Sequence, residues 1–321
     1  MPQKKLDFLV IGAPKSATTS LYELLKEHPQ LAMPATKEVP FFTDHRKYAK
    51  GMARYLAAQF PDASPEAVWG TITPQYMQGQ GEVDVALTAR RIADELPFVK
   101  IVALLRDPID RAFSHYKMQL QRGYERRSFD DVVRNALGKP LEDARGPVDP
   151  EDGFRYIFVS EYGRILQLYY DLFPREQILV LTTDELKDGP TDVVRRMCTF
   201  LSVSTQYEPV APSTRARHGG VRPRSRLLTP GFIYGIPGVK RVWKNAVPAR
   251  LRNRVEYRTN LWNIRPDEVR LDRGSYAYRA LAEFFAADVA HVEQLTGITV
   301  PWPAWSASRP AASGQQSVTA N

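Results

Sequence analysis

Two apolar runs constrain this chain more than any other feature: Leu6-Asp7-Phe8-Leu9-Val10-Ile11-Gly12 and Val99-Lys100-Ile101-Val102-Ala103-Leu104-Leu105. Both are short and aliphatic, and both stop at a breaker, Gly12 in one case and Arg106-Asp107-Pro108 in the other, so both predict buried strands. Each leads at once into a helical stretch, Thr18 to Glu27 after the first and Pro108 to Gln121 after the second. Proline in a helix's first turn is favourable. Val68–Thr71 and Gln177–Leu181 add two more strands, and Val83–Leu96, Thr191–Leu201 and Tyr276–Leu295 have helical periodicity. Strands alternating with helices predict an α/β, three-layer fold of P-loop-like type, with a central, mostly parallel sheet flanked by helices.

The chain has 321 residues, 43% of them hydrophobic, enough for a sizeable core. Residues 1–305 are expected to form one domain. Within it, 139–152 reads as a loop, and 215–260 as a basic, partly irregular segment over the ligand. The Ser/Ala/Gly/Gln tail 306–321 has little to bury and is expected to be disordered. The one cysteine, Cys198, lies in an apolar helical run and reads as a small buried hydrophobe. Five scattered histidines and no Asp-x-Asp run predict no metal site. Neither a leader-like start nor a run of roughly 20 apolar residues is present, which points to the cytoplasm. A net charge of +8 suits an anionic ligand, a nucleic acid or an anionic membrane face, and does not choose among them.

Two places have the chemistry to hold anions. The first is Pro14-Lys15-Ser16-Ala17-Thr18-Thr19-Ser20, between the first strand and its helix. A helix start offers free N–H groups and partial positive charge; Lys15 adds a full charge, and Ser16, Thr18, Thr19 and Ser20 add hydroxyls. A Walker A loop needs Gly, four residues, then Gly-Lys-Ser/Thr; here lysine follows Gly12 by three and no second glycine precedes it. The second place is Arg106, at the carboxyl end of a strand, with Ser114 two helical turns on; a guanidinium fork and a hydroxyl can share one phosphate. Asp107 and Arg111, four apart, read as an ordinary helix ion pair. His28, before a proline at a helix end, reads as a packing or capping residue, and His115 points about 100° away from Ser114. From these residues alone, a phosphate-transferring P-loop kinase or NTPase and a non-enzymatic binder of anions or nucleic acid both stay open. The Arg215–Arg226 stretch, with five arginines and no acid, lacks interleaved aromatics, so nucleic acid is not the expected partner.

Taken together, Pro14–Leu21 and Leu105-Arg106-Asp107-Pro108…Arg111-Ala112-Phe113-Ser114-His115-Tyr116 resemble the 5′-phosphosulfate loop and the 3′-phosphate motif of sulfotransferases that use 3′-phosphoadenosine-5′-phosphosulfate (PAPS). Leu179-Val180-Leu181…Asp184-Glu185-Leu186…Pro190 and the closing Leu281…Phe285…Val292…Leu295-Thr296-Gly297…Trp302 are also similar, so the resemblance runs from roughly residue 6 to 303. Lys37-Glu38-Val39-Pro40-Phe41-Phe42 is similar to the heparan-sulfate-type and related bacterial subgroup. The resemblance implies sulfuryl transfer from PAPS, leaving PAP, to a hydroxyl on a glycan, glycolipid or small metabolite. It implies that Lys15 contacts the sulfuryl or bridging oxygens, that Arg106 and Ser114 hold the 3′-phosphate, and that Glu38 is the general base. It also implies that a basic loop with Arg222, Arg224 and Ser225 closes over the 3′-phosphate. The residues Lys240 to Arg254 would be free to touch an anionic membrane or acceptor. The chain departs from the family at Ala17, where glycine is usual, and at Ile72, where glycosaminoglycan enzymes have lysine. Oligomeric state is not readable from the sequence.

Overall fold

The structure, a computed structural model, describes residues 5–79, 83–138, 155–209, 222–223, 225, 229, 264–265 and 269–306. Strands β1 (Phe8–Gly12), β2 (Leu31–Ala32), β3 (Val68–Ile72), β4 (Lys100–Leu105) and β5 (Ile178–Thr182) form one sheet in the order β2-β3-β1-β4-β5. Every neighbouring pair is parallel. The helices are α1 (Thr18–Leu25), α2 (His45–Tyr48), α3 (Met52–Gln59), α4 (Val85–Glu95), α5 (Pro108–Arg122), α6 (Phe129–Leu137), α7 (Arg155–Phe158), α8 (Tyr162–Tyr170), α9 (Thr183–Asp188), α10 (Pro190–Leu201), α11 (Tyr276–Thr296) and α12 (Pro303–Ser306).

Alternate residues of β1 and β4 serve different layers, as the pleat requires. Phe8, Val10, Val102 and Leu104 pack with Leu21, Leu24 and Leu25 of α1 and with Val194, Met197 and Cys198 of α10. Leu9, Ile11, Ile101 and Ala103 pack on the other face, with Ile92 of α4, Ile109 and Ala112 of α5, and Phe285 and Val289 of α11. With both faces covered, the strands have to be apolar throughout, which is why β1 and β4 were so legible. Cys198 is buried as expected. Ile72, the residue standing in place of a lysine, is a core side chain of β3. Among the described residues no helix is long and apolar enough to cross a membrane.

The strand order turns the sheet into a ligand frame. From β1 the chain travels to β2 and β3 on one side, then returns to place β4 on the other. The carboxyl ends of β1 and β4 therefore flank a topological switch point, where open α/β sheets leave a crevice. The β1–β4 register slips between Val10 and Gly12, a bulge that turns the end of β1. Gly12 has no room for a side chain: a Cβ there would lie 2.4 Å from Met77 Sδ.

Candidate active site

The loop after β1 reaches α1 through two residues with left-handed backbone, Lys15 (φ 71°) and Ala17 (φ 54°), on either side of Ser16. Ala17 is the N-cap of α1, and no side chain caps the helix. Left-handed backbone is ordinary for glycine and costs other residues about 1–2 kcal/mol. The loop thus takes the shape a glycine would favour, with alanine in that place. The four hydroxyls divide: Ser16 and Thr18 are buried, Thr19 and Ser20 exposed. Ser16 Oγ is fully buried and completes no hydrogen bond with another protein group.

Arg106 follows β4, and its guanidinium donates to the Lys15 carbonyl at 3.4 Å. The two anion-binding segments expected from the sequence therefore touch across the crevice. Ser114 lies on α5, half-buried, eight residues on. Met118, one turn further, meets the Lys15 ammonium with its thioether at 3.7 Å. Burial lowers the Lys15 pKa to about 8, and the charges of Arg122, Arg106 and Arg111 push the same way against the smaller pull of Glu38. An ammonium so placed is poised for an anion, which would replace lost water and offset the neighbouring cations.

Asp107 and Arg111 do not form the expected helix ion pair. The Asp107 carboxylate caps α5, accepting from the N–H groups of Ile109 (2.9 Å) and Asp110 (3.0 Å). The free N–H groups at a helix start are nearer and already aimed at it. Arg111 turns inward, fully buried, and donates to Ser160 Oγ, to the Tyr156 carbonyl and to His115 Nδ1. No carboxylate pairs with it among the described residues, so its charge adds to the field behind the crevice.

Glu38 stands at the rim, its side chain 39% exposed. It bonds Lys37, and Gln75 Nε2 donates to its Oε2 at 2.9 Å. Burial works to raise its pKa, but Lys37, the Gln75 amide and Lys15 outweigh it and hold the carboxyl below its ordinary range. The Phe41-Phe42 pair now has a physical role. Both rings are fully buried and meet edge to face at 5.0 Å, and the Phe41 N–H donates to Tyr76 Oη at 3.2 Å. These contacts clamp the segment carrying Glu38 to the turn carrying Gln75. His28 is a packing residue as expected: Gln30 N–H donates to its Nδ1, and its Nε2 faces the Ser204 carbonyl at 3.0 Å.

Arg222 and Pro223 pair antiparallel with Ile264 and Arg265, and this short strand packs against α5. Ser225 is half-buried. Arg224, the other arginines of 215–226 and the residues 240–254 lie outside the described residues, as do the loop 139–152 and the tail beyond 306. Gln75 and Tyr162 belong to the site region and were missed from sequence. Gln75 had a signal, since it follows the Thr73-Pro74 pair; Tyr162 sits in Ser160-Glu161-Tyr162-Gly163, which matches no motif. Among the described residues no three His, Cys, Asp or Glu side chains come together as a metal site.

Residues 5–216 match the sulfotransferase domain family. The chain belongs to that family. Its relatives include a Drosophila melanogaster bifunctional heparan sulfate N-deacetylase/N-sulfotransferase, 27% identical over 61% of this chain and 19% of the relative. A mouse heparan sulfate glucosamine 3-O-sulfotransferase 3B1 is 29% identical over 61% of this chain and 45% of the relative. The membrane-associated sulfotransferase kil1 of Dictyostelium discoideum is 34% identical over 36% of this chain and 23% of the relative. The matched region is thus less than half the length of each of these relatives. A solved sulfotransferase from Alicyclobacillus acidocaldarius shares the fold, with a TM-score of 0.60 and 24% identity over 93% of this chain and 98% of that one.

Proposed function

We propose that this protein transfers the sulfuryl group of PAPS to an acceptor hydroxyl, leaving PAP. The observation that carries the reading is the contact between the Lys15 loop and Arg106 at the β1/β4 switch point. An ammonium, a guanidinium, a buried hydroxyl without a partner and an uncapped helix start are a donor set matched to phosphate and sulfate oxygens. In this reading Lys15, Ser16 and the Ala17–Ser20 turn hold the 5′-phosphosulfate, while Arg106 and Ser114 hold the 3′-phosphate. The Arg222, Arg224 and Ser225 segment closes over the latter. Bound there, PAPS supplies the sulfuryl group, whose bond to phosphate breaks as the bond to the acceptor oxygen forms.

The residues act by position and charge. Lys15 neutralises charge that builds on the bridging oxygen, a task a metal serves in many phosphoryl transfers. Glu38 takes the acceptor proton. Held ionised by Lys37, Gln75 and Lys15, it is ready at neutral pH, and it leaves Lys37 as the proton arrives. The named substrates of the two heparan sulfate relatives favour a carbohydrate acceptor, on a glycan or glycolipid; a small hydroxylated metabolite fits the same chemistry. The test is transfer of ³⁵S from labelled PAPS into host glycan, lipid and metabolite fractions, read by radioactivity and mass shift. Labelled product is expected. Failure to bind PAP, together with binding of ATP and Mg²⁺, would overturn the reading.

A further inference from the structure

We propose that Tyr162 is a positioning residue for the donor: its hydroxyl sits between the two anion anchors and orients the Ser16 hydroxyl toward the bound phosphosulfate. This rests on the function proposed above.

Tyr162 opens α8 and is fully buried. Its hydroxyl lies beside the Ser16 hydroxyl and the Arg106 backbone N–H, yet neither it nor Ser16 Oγ forms a well-shaped hydrogen bond with another protein group. Most buried hydroxyls have a partner, because leaving one without costs about 1–3 kcal/mol. Phenylalanine would fill the same space against Trp302, whose ring is 6.0 Å away, without that cost. Packing therefore explains the ring and leaves the hydroxyl unexplained.

The backbone that carries the ring is held in place from three sides. Ser160 Oγ donates to the Pro108 carbonyl at 2.9 Å and accepts from Arg111, which docks the segment on the start of α5. Tyr162 N–H donates to the Ser160 carbonyl at 2.9 Å. Gly163 and Arg164 N–H groups each donate to the Asp288 carboxylate of α11 at 2.9 Å. With this backbone tethered and the ring fully buried, the phenol oxygen has little freedom to move away from the Ser16 loop and Arg106. Each hydroxyl can donate once and accept. Tyr162 donating to Ser16, and Ser16 donating to an anion oxygen, satisfies both oxygens at once. Burial pushes the Tyr162 phenol up to about 12, so it keeps its proton over the whole working range of pH.

The experiment is calorimetric binding of PAP, with steady-state kinetics, for wild type, Tyr162→Phe, Ser16→Ala and the double variant. Tyr162→Phe is expected to bind PAP about tenfold more weakly and to raise the donor KM. The acceptor KM should be unchanged and the melting temperature equal or higher. Ser16→Ala should lose a similar factor, and the double variant little more than either, because both changes break one chain of hydrogen bonds. Wild-type PAP affinity in folded Tyr162→Phe, or independent losses that multiply in the double variant, would overturn the proposal while leaving the donor assignment intact. Should Tyr162→Phe not fold, unchanged PAP affinity in Ser16→Ala overturns it equally. No PAP binding by wild type overturns both readings.

Discussion

Two helices start at the carboxyl ends of neighbouring strands, and they are finished in opposite ways. Helix α5, after β4, is closed by its own Asp107, whose carboxylate takes two of the first N–H groups. Helix α1, after β1, is entered through left-handed Ala17 with no capping side chain. The first is complete as a structure, and in the proposed reading its contribution to binding is the cation just before it, Arg106. The second keeps its N–H groups and partial charge available, with Lys15 and Ser16 beside them. One sheet edge thus holds a sealed helix start and an open one, and only the open one can receive an anion by its backbone.

The largest effects are expected at the open end and at Glu38, the proposed base. Glu38→Gln should keep PAP binding and lose roughly 10²–10⁴ in kcat; normal turnover would remove Glu38 as base. Lys15→Ala should lower kcat/KM by roughly 10²–10³, the scale for removing one donor to a developing anion. Since the Lys15 pKa lies at about 8 in the free protein, the charged form is lost as pH rises through that value. Wild-type kcat/KM for the donor should therefore fall above about pH 8, and Lys15→Arg, slower but always charged, should lose that alkaline fall. A smaller pair of changes sharpens the contrast. Asp107→Ala should cost about 1–2 kcal/mol in denaturant melts, because it opens the sealed start. Ala17→Gly should gain about 0.5–1 kcal/mol, because it relieves left-handed backbone at the open one. Equal responses at the two positions would show that the helix starts do not differ as described.

The parts that were legible in sequence are those fixed by local rules. β1 and β4 had to be apolar throughout, the Arg106 and Ser114 spacing is a property of one strand end and one helix, and the Lys15 loop announces itself by composition. What was not legible depends on partners distant in the chain. The spacing of Asp107 and Arg111 fits an ion pair, and tertiary packing overrode it: Ser160 and Tyr156 drew the arginine inward while the helix start took the carboxylate. Gln75 matters only because Phe41 and Tyr76 bring Glu38 to it. The helices α6 and α8 carry periodic apolar residues that earned no expectation, and the Tyr162 hydroxyl has meaning only where α8, α5 and the first loop converge.

The absent side chain at Gly12 also has a consequence for how the protein could be altered. Met77 fills the space, and it belongs to the same single turn as Gln75, the amide that steadies Glu38. A methyl group added at Gly12 would press on Met77 and, through it, on the turn that carries Gln75. In the proposed reading, a change made beside the donor loop would then be felt as a misplaced base.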